Sequence, residues 1–248
     1  MKARAWAVHL VISLCVLLPV LAVISLLWYP RPLFTVQGAA RVVGVISAVH
    51  LVLGPLLTFI VFKPGKKGLK FDLVVIAALQ IVALAYGTHT IWSERPRYVV
   101  FAVDRYEVLG RLDVDFARAG MEGFGGQDVE GVTYAYAEMP LGQAFQRFQD
   151  EVLFGGQPDL ERRPEFWRPL DGPRVGAVLA AAHPLSDYGS RDKGVYTTLQ
   201  EKAVALGVDP QAAFVAPVVG KGGDFLAILD PETARVMDVM DTDPWLER

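Results

Sequence analysis

The sequence predicts a three-helix transmembrane anchor followed by an α+β extracytoplasmic domain with a C-terminal β-hairpin. Three observations predict it. The chain of 248 residues is 52% hydrophobic and only 21% charged, more apolar than a soluble chain of this length. Its charge is divided: residues 1–92 hold 8 Lys and Arg against one acid, Asp72, whereas residues 93–248 hold 16 against 26, so the two parts carry +7 and −10. The apolar excess falls in three runs, all inside the first part. A membrane domain over 1–92 and a globular domain over 93–248 follow, the second long enough for a core of its own.

Residues 7–28 contain no Lys, Arg, Asp or Glu, and at about 1.5 Å per residue they reach roughly 33 Å, enough to cross a hydrocarbon layer of about 30 Å. A cleaved signal peptide would need a shorter run and a small-residue cleavage site. A lipoprotein reading of Cys15 meets a bulky Leu14 where a small residue is required. The second and third runs, 42–62 and 73–92, are each near 20 residues, and Trp28, Tyr29, Trp92 and Tyr98 sit at or near span ends, where amphipathic rings settle at the headgroup level. Lys2 and Arg4 precede the first run, and Lys63, Lys66, Lys67 and Lys70 crowd the connection between the second and third. Counting positive charges places the N-terminus and this lysine loop in the cytoplasm and, after three crossings, the C-terminal domain outside, in the periplasm of a bacterial cell. The four lysines read as topology determinants and lipid-phosphate contacts.

Inside the spans, ionisable and amide groups are costly and tend to face a partner. His50, Gln80 and His89 stand out. Gly54-Pro55 follows His50 by one turn, so the kink expected at proline frees a carbonyl near the imidazole. An interhelical hydrogen bond accounts for His50 and Gln80, while His9 and His89 lie near span ends, where interfacial solvation suffices.

Beyond the spans, Tyr98–Val103 reads as a strand leaving the membrane surface. Gly120–Gly131 reads as a Gly-rich acidic loop without the Gly-Lys-Ser/Thr of a phosphate cradle. Val132–Glu138 reads as a strand, and Leu141–Phe154 has helical apolar spacing. Residues 155–172 read as irregular, with Phe166 and Trp167 as packing residues. Pro173–Ala182 and Lys193–Leu206 read as helices, the latter ended by Gly207. Ala213–Val219, Phe225–Leu229 and Arg235–Met240 read as strands, with a turn at Asp230-Pro231-Glu232-Thr233.

Catalytic chemistry is thin. His183 is the domain's one histidine and reads as a helix-end residue; Ser186, Asp187, Ser190 and Asp192 lie nearby without a G-x-S-x-G or S-x-x-K frame. One cysteine excludes an intrachain disulfide and a cysteine-clustered metal site. No enzyme signature, cofactor or metal is expected, and an acidic domain repels nucleic acid.

The segments GPLLTFIVFKPGKKGLKFDL (54–73), Gln80, ALAYG (83–87), RPRYVVFAVDRYEV (95–108) and a near-terminal Pro244-Trp245 resemble, as a set, the TfpX/TfpZ family of type IV pilin accessory proteins. The likeness covers about residues 1–110 well and the rest loosely. It implies an inner-membrane accessory or chaperone-like factor for pilus assembly, with type IV pilin, other assembly proteins and membrane lipids as partners. The residues that match its motifs are His50, Gly54, Pro55, Gln80, Tyr86, Gly87, Arg95, Pro96, Tyr98, Asp104 and Arg105. Many members carry Asp where this chain has His50, so a carboxylate role there does not carry over. On this resemblance the spans pack against the pilin's apolar helix, with Gly44, Ser47 and Ala48 permitting close approach and His50 bonding its glutamate. The outer domain then contacts the pilin head. The alternative is a membrane-anchored envelope enzyme or ligand sensor, which a cleft joining His183, Asp187 and Tyr188 would favour.

Overall fold

The computed structural model describes residues 1–116 and 131–245, and the predicted loop at 120–131 lies, but for Gly131, outside them. The chain forms two compact units, one of residues 1–30 and 38–94, the other of residues 31–37 and 95–248.

The first unit consists of three helices long and apolar enough to cross a membrane, Lys2–Trp28, Ala39–Val61 and Leu69–Ser93. This is a membrane protein. Each helix starts three to five residues before its apolar run, because the residues that precede it, KARAW, AAR and LKFD, take helical backbone readily. The second helix changes register in its middle: Val49–Leu53 is a π turn in which Gly54 N–H bonds Val49 O. Pro55 is the cause, since the next bond in that register would need an N–H that proline lacks. Close approach between the second and third helices occurs at glycine: a Cβ at Gly87 would stand 2.7 Å from Ile46 Cγ1, and one at Gly54 would run into the Gln80 side chain. Gly44, by contrast, has nothing within 4 Å of where a Cβ would lie. At the far end, the Tyr29 hydroxyl donates to Ile91 O at 2.9 Å, tying the first helix to the third.

The second unit is built on an eight-stranded mixed sheet. Its strands are β1 (Pro96–Ala102), β2 (Arg105–Gly110), β3 (Thr133–Ala137), β4 (Trp167–Pro169), β5 (His183–Pro184), β6 (Phe214–Gly220), β7 (Gly223–Leu229) and β8 (Val236–Met240), in the order β4-β3-β1-β2-β6-β7-β8 with β5 beside β6. β1 and β2 form a hairpin, β3 joins β1 in parallel, β6 joins β2 in parallel, and β6-β7-β8 is an antiparallel meander. Alternate residues of β1 enter different cores: Val99 and Phe101 one, Tyr98, Val100 and Ala102 the other. Both faces are therefore covered, which is why this strand reads as a continuous apolar run rather than an alternating one.

The predicted strands and helices of this unit are present within two residues of their expected ends. β2, β4 and β5 are additions: RYEVLG is half polar, and the other two are only three and two residues long. His183, expected at a helix end, pairs with Val215 instead. Trp167 is fully buried, its Nε1 donating to Glu161 O at 3.1 Å.

The second unit begins at Arg95 and also takes in Arg31–Gln37, a segment that lies within the membrane part as the sequence reads. Leu33 and Val36 are buried in the core of the second unit. Gln37 Nε2 donates to Val108 O at 2.8 Å, Lys221 N–H donates to Gln37 Oε1 at 3.1 Å, and Gly222 N–H donates to Val36 O at 2.8 Å. The tip of the β6–β7 hairpin closes on this strap so tightly that a Cβ at Gly220 would stand 2.5 Å from Val36 O.

Candidate functional site

Polar side chains meet inside the membrane unit. His9 of the first helix lies between Thr58 of the second and Gln80 of the third: Nδ1 is 2.6 Å from Thr58 Oγ1 and Nε2 2.7 Å from Gln80 Oε1. An amide oxygen only accepts, so Nε2 carries the proton and Nδ1 takes the Thr58 hydroxyl. Gln80 Nε2 in turn donates to His50 O at 3.5 Å. That carbonyl is the one Pro55 leaves unpaired in the π register, so the carbonyl freed near His50 has a partner on the third helix.

The His50 ring is 4% exposed and bonds its own helix, Nδ1 lying 2.9 Å from Ile46 O. The carbonyl fixes the proton on Nδ1, which leaves Nε2 outside this bond. The interhelical bond expected of His50 is therefore made by its backbone, and His9 takes the side-chain role. His9 is drawn in because the helix begins at Lys2, two turns before it. His89 is exposed.

Beside this network lies a cavity of about 720 Å³. The first helix contributes Arg4, Val8, His9, Ile12, Ser13 and Val16, the second His50, Thr58 and Phe62, and the third Leu73, Ala77, Gln80, Ile81 and Leu84. Its lining is mostly aliphatic with a few polar side chains, and no carboxylate lines it. Ser13 is 5% exposed.

The other motif residues divide. Gly54, Pro55 and Gly87 are buried at helix contacts, but Tyr86 is 74% exposed on the third helix. Arg95, Pro96, Tyr98, Asp104 and Arg105 belong to the β1–β2 hairpin of the second unit. Pro96 and Tyr98 are buried there, Tyr98 packing on Phe116 and Trp167. Arg105 pairs with Asp104 at 3.1 Å across the turn. Lys63, Lys67 and Lys70 are exposed, and Lys66 pairs with Asp72 at 2.5 Å, so one of the four basic charges is neutralised locally.

In the second unit, burial raises the carboxyls of Glu107 and Glu161 above the ordinary range, each further raised by a neighbouring acid and opposed by Arg105 and Arg162. Burial also pushes the Tyr134 and Tyr188 hydroxyls up to about 12. Tyr188 donates to Pro244 O at 3.2 Å. Among the described residues no group of three His, Cys, Asp or Glu side chains is placed to hold a metal ion.

A membrane bundle with a polar seam, joined to an α+β domain, defines the class. No protein-family model matches the chain, and no solved structure matches it. Over 247 residues it is 27% identical to the fimbrial assembly protein of serogroup E1 from Dichelobacter nodosus, covering 92% of this chain and 90% of the relative. It is 33% identical over 114 residues to the fimbrial assembly protein of serogroups C1 and C2 of that organism, 45% of this chain and 87% of the relative. To that of serogroup I it is 34% identical over 114 residues, 45% of this chain and 44% of the relative. The chain belongs to this family of fimbrial assembly proteins.

Proposed function

We propose that this protein is an accessory, chaperone-like factor in type IV pilus assembly, of the TfpX/TfpZ kind, that receives the pilin in the inner membrane. The observation that carries the reading is the likeness to a fimbrial assembly protein along nearly the whole chain, on a protein with three membrane helices. In this reading the groove of the first unit takes the apolar helix of the pilin, and the second unit contacts its head from the periplasm. The basic flanks of the first helix and the lysine loop support a cytoplasmic N-terminus. Lys63, Lys67 and Lys70 contact lipid phosphate, and the turn that holds the half-buried Asp104 and Arg105 beside the exposed Val103 is the part of the hairpin that reaches the head. The relatives are named for assembly, which supports an assembly role over a catalytic one.

Deletion of the gene in its host, with surface pili scored by shearing and immunoblot beside total pilin, tests the reading. Surface pili fall while pilin persists in the membrane. Unchanged pili would overturn it.

A further inference from the structure

We propose that the groove between the three membrane helices recognises a carboxylic acid side chain on its partner's transmembrane helix, with His50 and Ser13 as the groups that bind it. The inference rests on the reading above; it carries the contact expected of His50 into the cavity and adds Ser13 as the second group that binds there.

His50 and Ser13 are 4% and 5% exposed, and both line the cavity. His9 spends both ring nitrogens, Thr58 its hydroxyl proton, and Gln80 its carbonyl oxygen and one N–H on one another and on the His50 carbonyl. Ser13 makes no hydrogen bond among the described residues, and His50 makes one, through Nδ1. Two polar side chains of the cavity lining thus keep bonding capacity at bilayer depth, which a group entering the cavity can take up.

The chemistry of what fills it follows from the proton on Nδ1. Nε2 offers a lone pair when the ring is neutral and an N–H when it is protonated, so it bonds a carboxylic acid in the first state and a carboxylate in the second. The Ser13 hydroxyl serves the second oxygen in either state. Charge agrees: the lining holds Arg4 and two imidazoles and no acid, and the single acid of residues 1–92, Asp72, is engaged with Lys66.

Depth selects a helix over a lipid. Ser13 lies nine residues beyond Arg4, about 14 Å along the helix. An acyl chain reaching that far would cover His50 and Ser13 with methylenes, and a free fatty acid would keep its carboxyl at the interface. From Arg4 to Val16 the groove runs about 18 Å, roughly three helical turns. An apolar helix with one acid within the bilayer fills it and satisfies both groups.

The test uses the full-length protein in host membranes with its own pilin. A photo-crosslinking residue at Ile81, on the groove, is compared with one at Leu79, exposed on the same helix but outside the lining. Ile81 labels the pilin helix and Leu79 does not. Replacing the acid of that helix by Leu lowers the Ile81 yield about five-fold, in keeping with polar contacts between membrane helices. His50→Leu lowers it similarly, the near-isosteric Ser13→Ala lowers it less, and His50→Leu adds nothing once the acid is gone. Equal labelling from both positions, labelling of lipid alone, or yields indifferent to His50→Leu and Ser13→Ala would each overturn the inference. Should deletion abolish surface pili while Ile81 never labels pilin, the inference falls and the assembly role stands. Should deletion leave pili intact, the assembly role itself falls.

Discussion

Gly54→Ala separates the two ways in which a glycine can matter in a membrane bundle. A Cβ at this position runs into Nε2 and Cδ of Gln80. Those atoms are the far end of a flexible side chain, so the clash is relieved by swinging Gln80 away rather than by moving a helix. The cost is then the hydrogen bonds that Gln80 gives up: a short one with His9 at 2.7 Å and a long one to His50 O at 3.5 Å. Interhelical hydrogen bonds in membranes average about 0.6 kcal/mol and reach about 1.7, so Gly54→Ala should cost about 1–2 kcal/mol in all.

The double variant makes the argument refutable. In Gln80→Ala the same two bonds are lost and the space is empty, so adding Gly54→Ala costs almost nothing further. Unfolding of the purified protein in mixed micelles by increasing sodium dodecyl sulfate, followed by circular dichroism, gives the four stabilities of the cycle. A coupling of at least about 1 kcal/mol is expected, because contacting residues are not additive. Costs that simply add, or a Gly54→Ala variant as stable as the parent, would show that Gln80 does not cross above Gly54.

The second unit yields three further expectations. Gln37→Ala strands Val108 O and Lys221 N–H, at about 1–3 kcal/mol for each unsatisfied group. A fragment beginning at residue 95 should melt lower than one to which the 31–37 peptide has been added, as differential scanning fluorimetry would show. Glu107 has a folded-state carboxyl raised above its ordinary value by burial, so its contribution is fully present below the unfolded value and lost as pH rises through the folded one. Glu107→Gln should therefore flatten the fall in melting temperature between pH 4 and 7, with Glu161 keeping part of the slope; an unchanged slope would refute it. Arg163 is 4% exposed, pairs with Glu151 and Glu165 at 2.8 and 2.9 Å, and lies beside the rings of Phe148 and Phe166, which meet edge to face. Arg163→Ala should cost about 3 kcal/mol or more by leaving two carboxylates without their cation and two rings without its contact, measured by urea denaturation of the second unit.

The membrane helices were legible because length and hydropathy suffice for them, and the meander because its strands are apolar and its turn carries Asp-Pro. Asp230 Oδ1 does accept from Glu232 and Thr233 N–H in that turn. The strap at Arg31–Gln37 was not legible. PLFTVQ is too short to have a period, and its role depends on Val108 and Lys221, which lie 71 and 184 residues away. The seam was half legible. Gln80 and the carbonyl freed by Pro55 can be inferred from the residues, but His9 reads as solvated when its nearness to the end of the apolar run is counted instead of its place on the helix. The signal was present: His9, Ser13 and Leu17 follow at intervals of four, as do His50, Gly54 and Thr58, each set marking one face of a helix.

That spacing also decides between two accounts of the polar seam. If the seam existed only to hold three helices together, every polar group on those faces should find its partner within the bundle, as His9, Thr58 and Gln80 do. Polar contacts in lipid contribute little to stability, so leaving Ser13 and the second nitrogen of His50 over would be a cost with no return. These two groups share the cavity wall with the aliphatic residues that would pack against a guest helix. Stability explains the closed half of the network; the open half is explained by a partner.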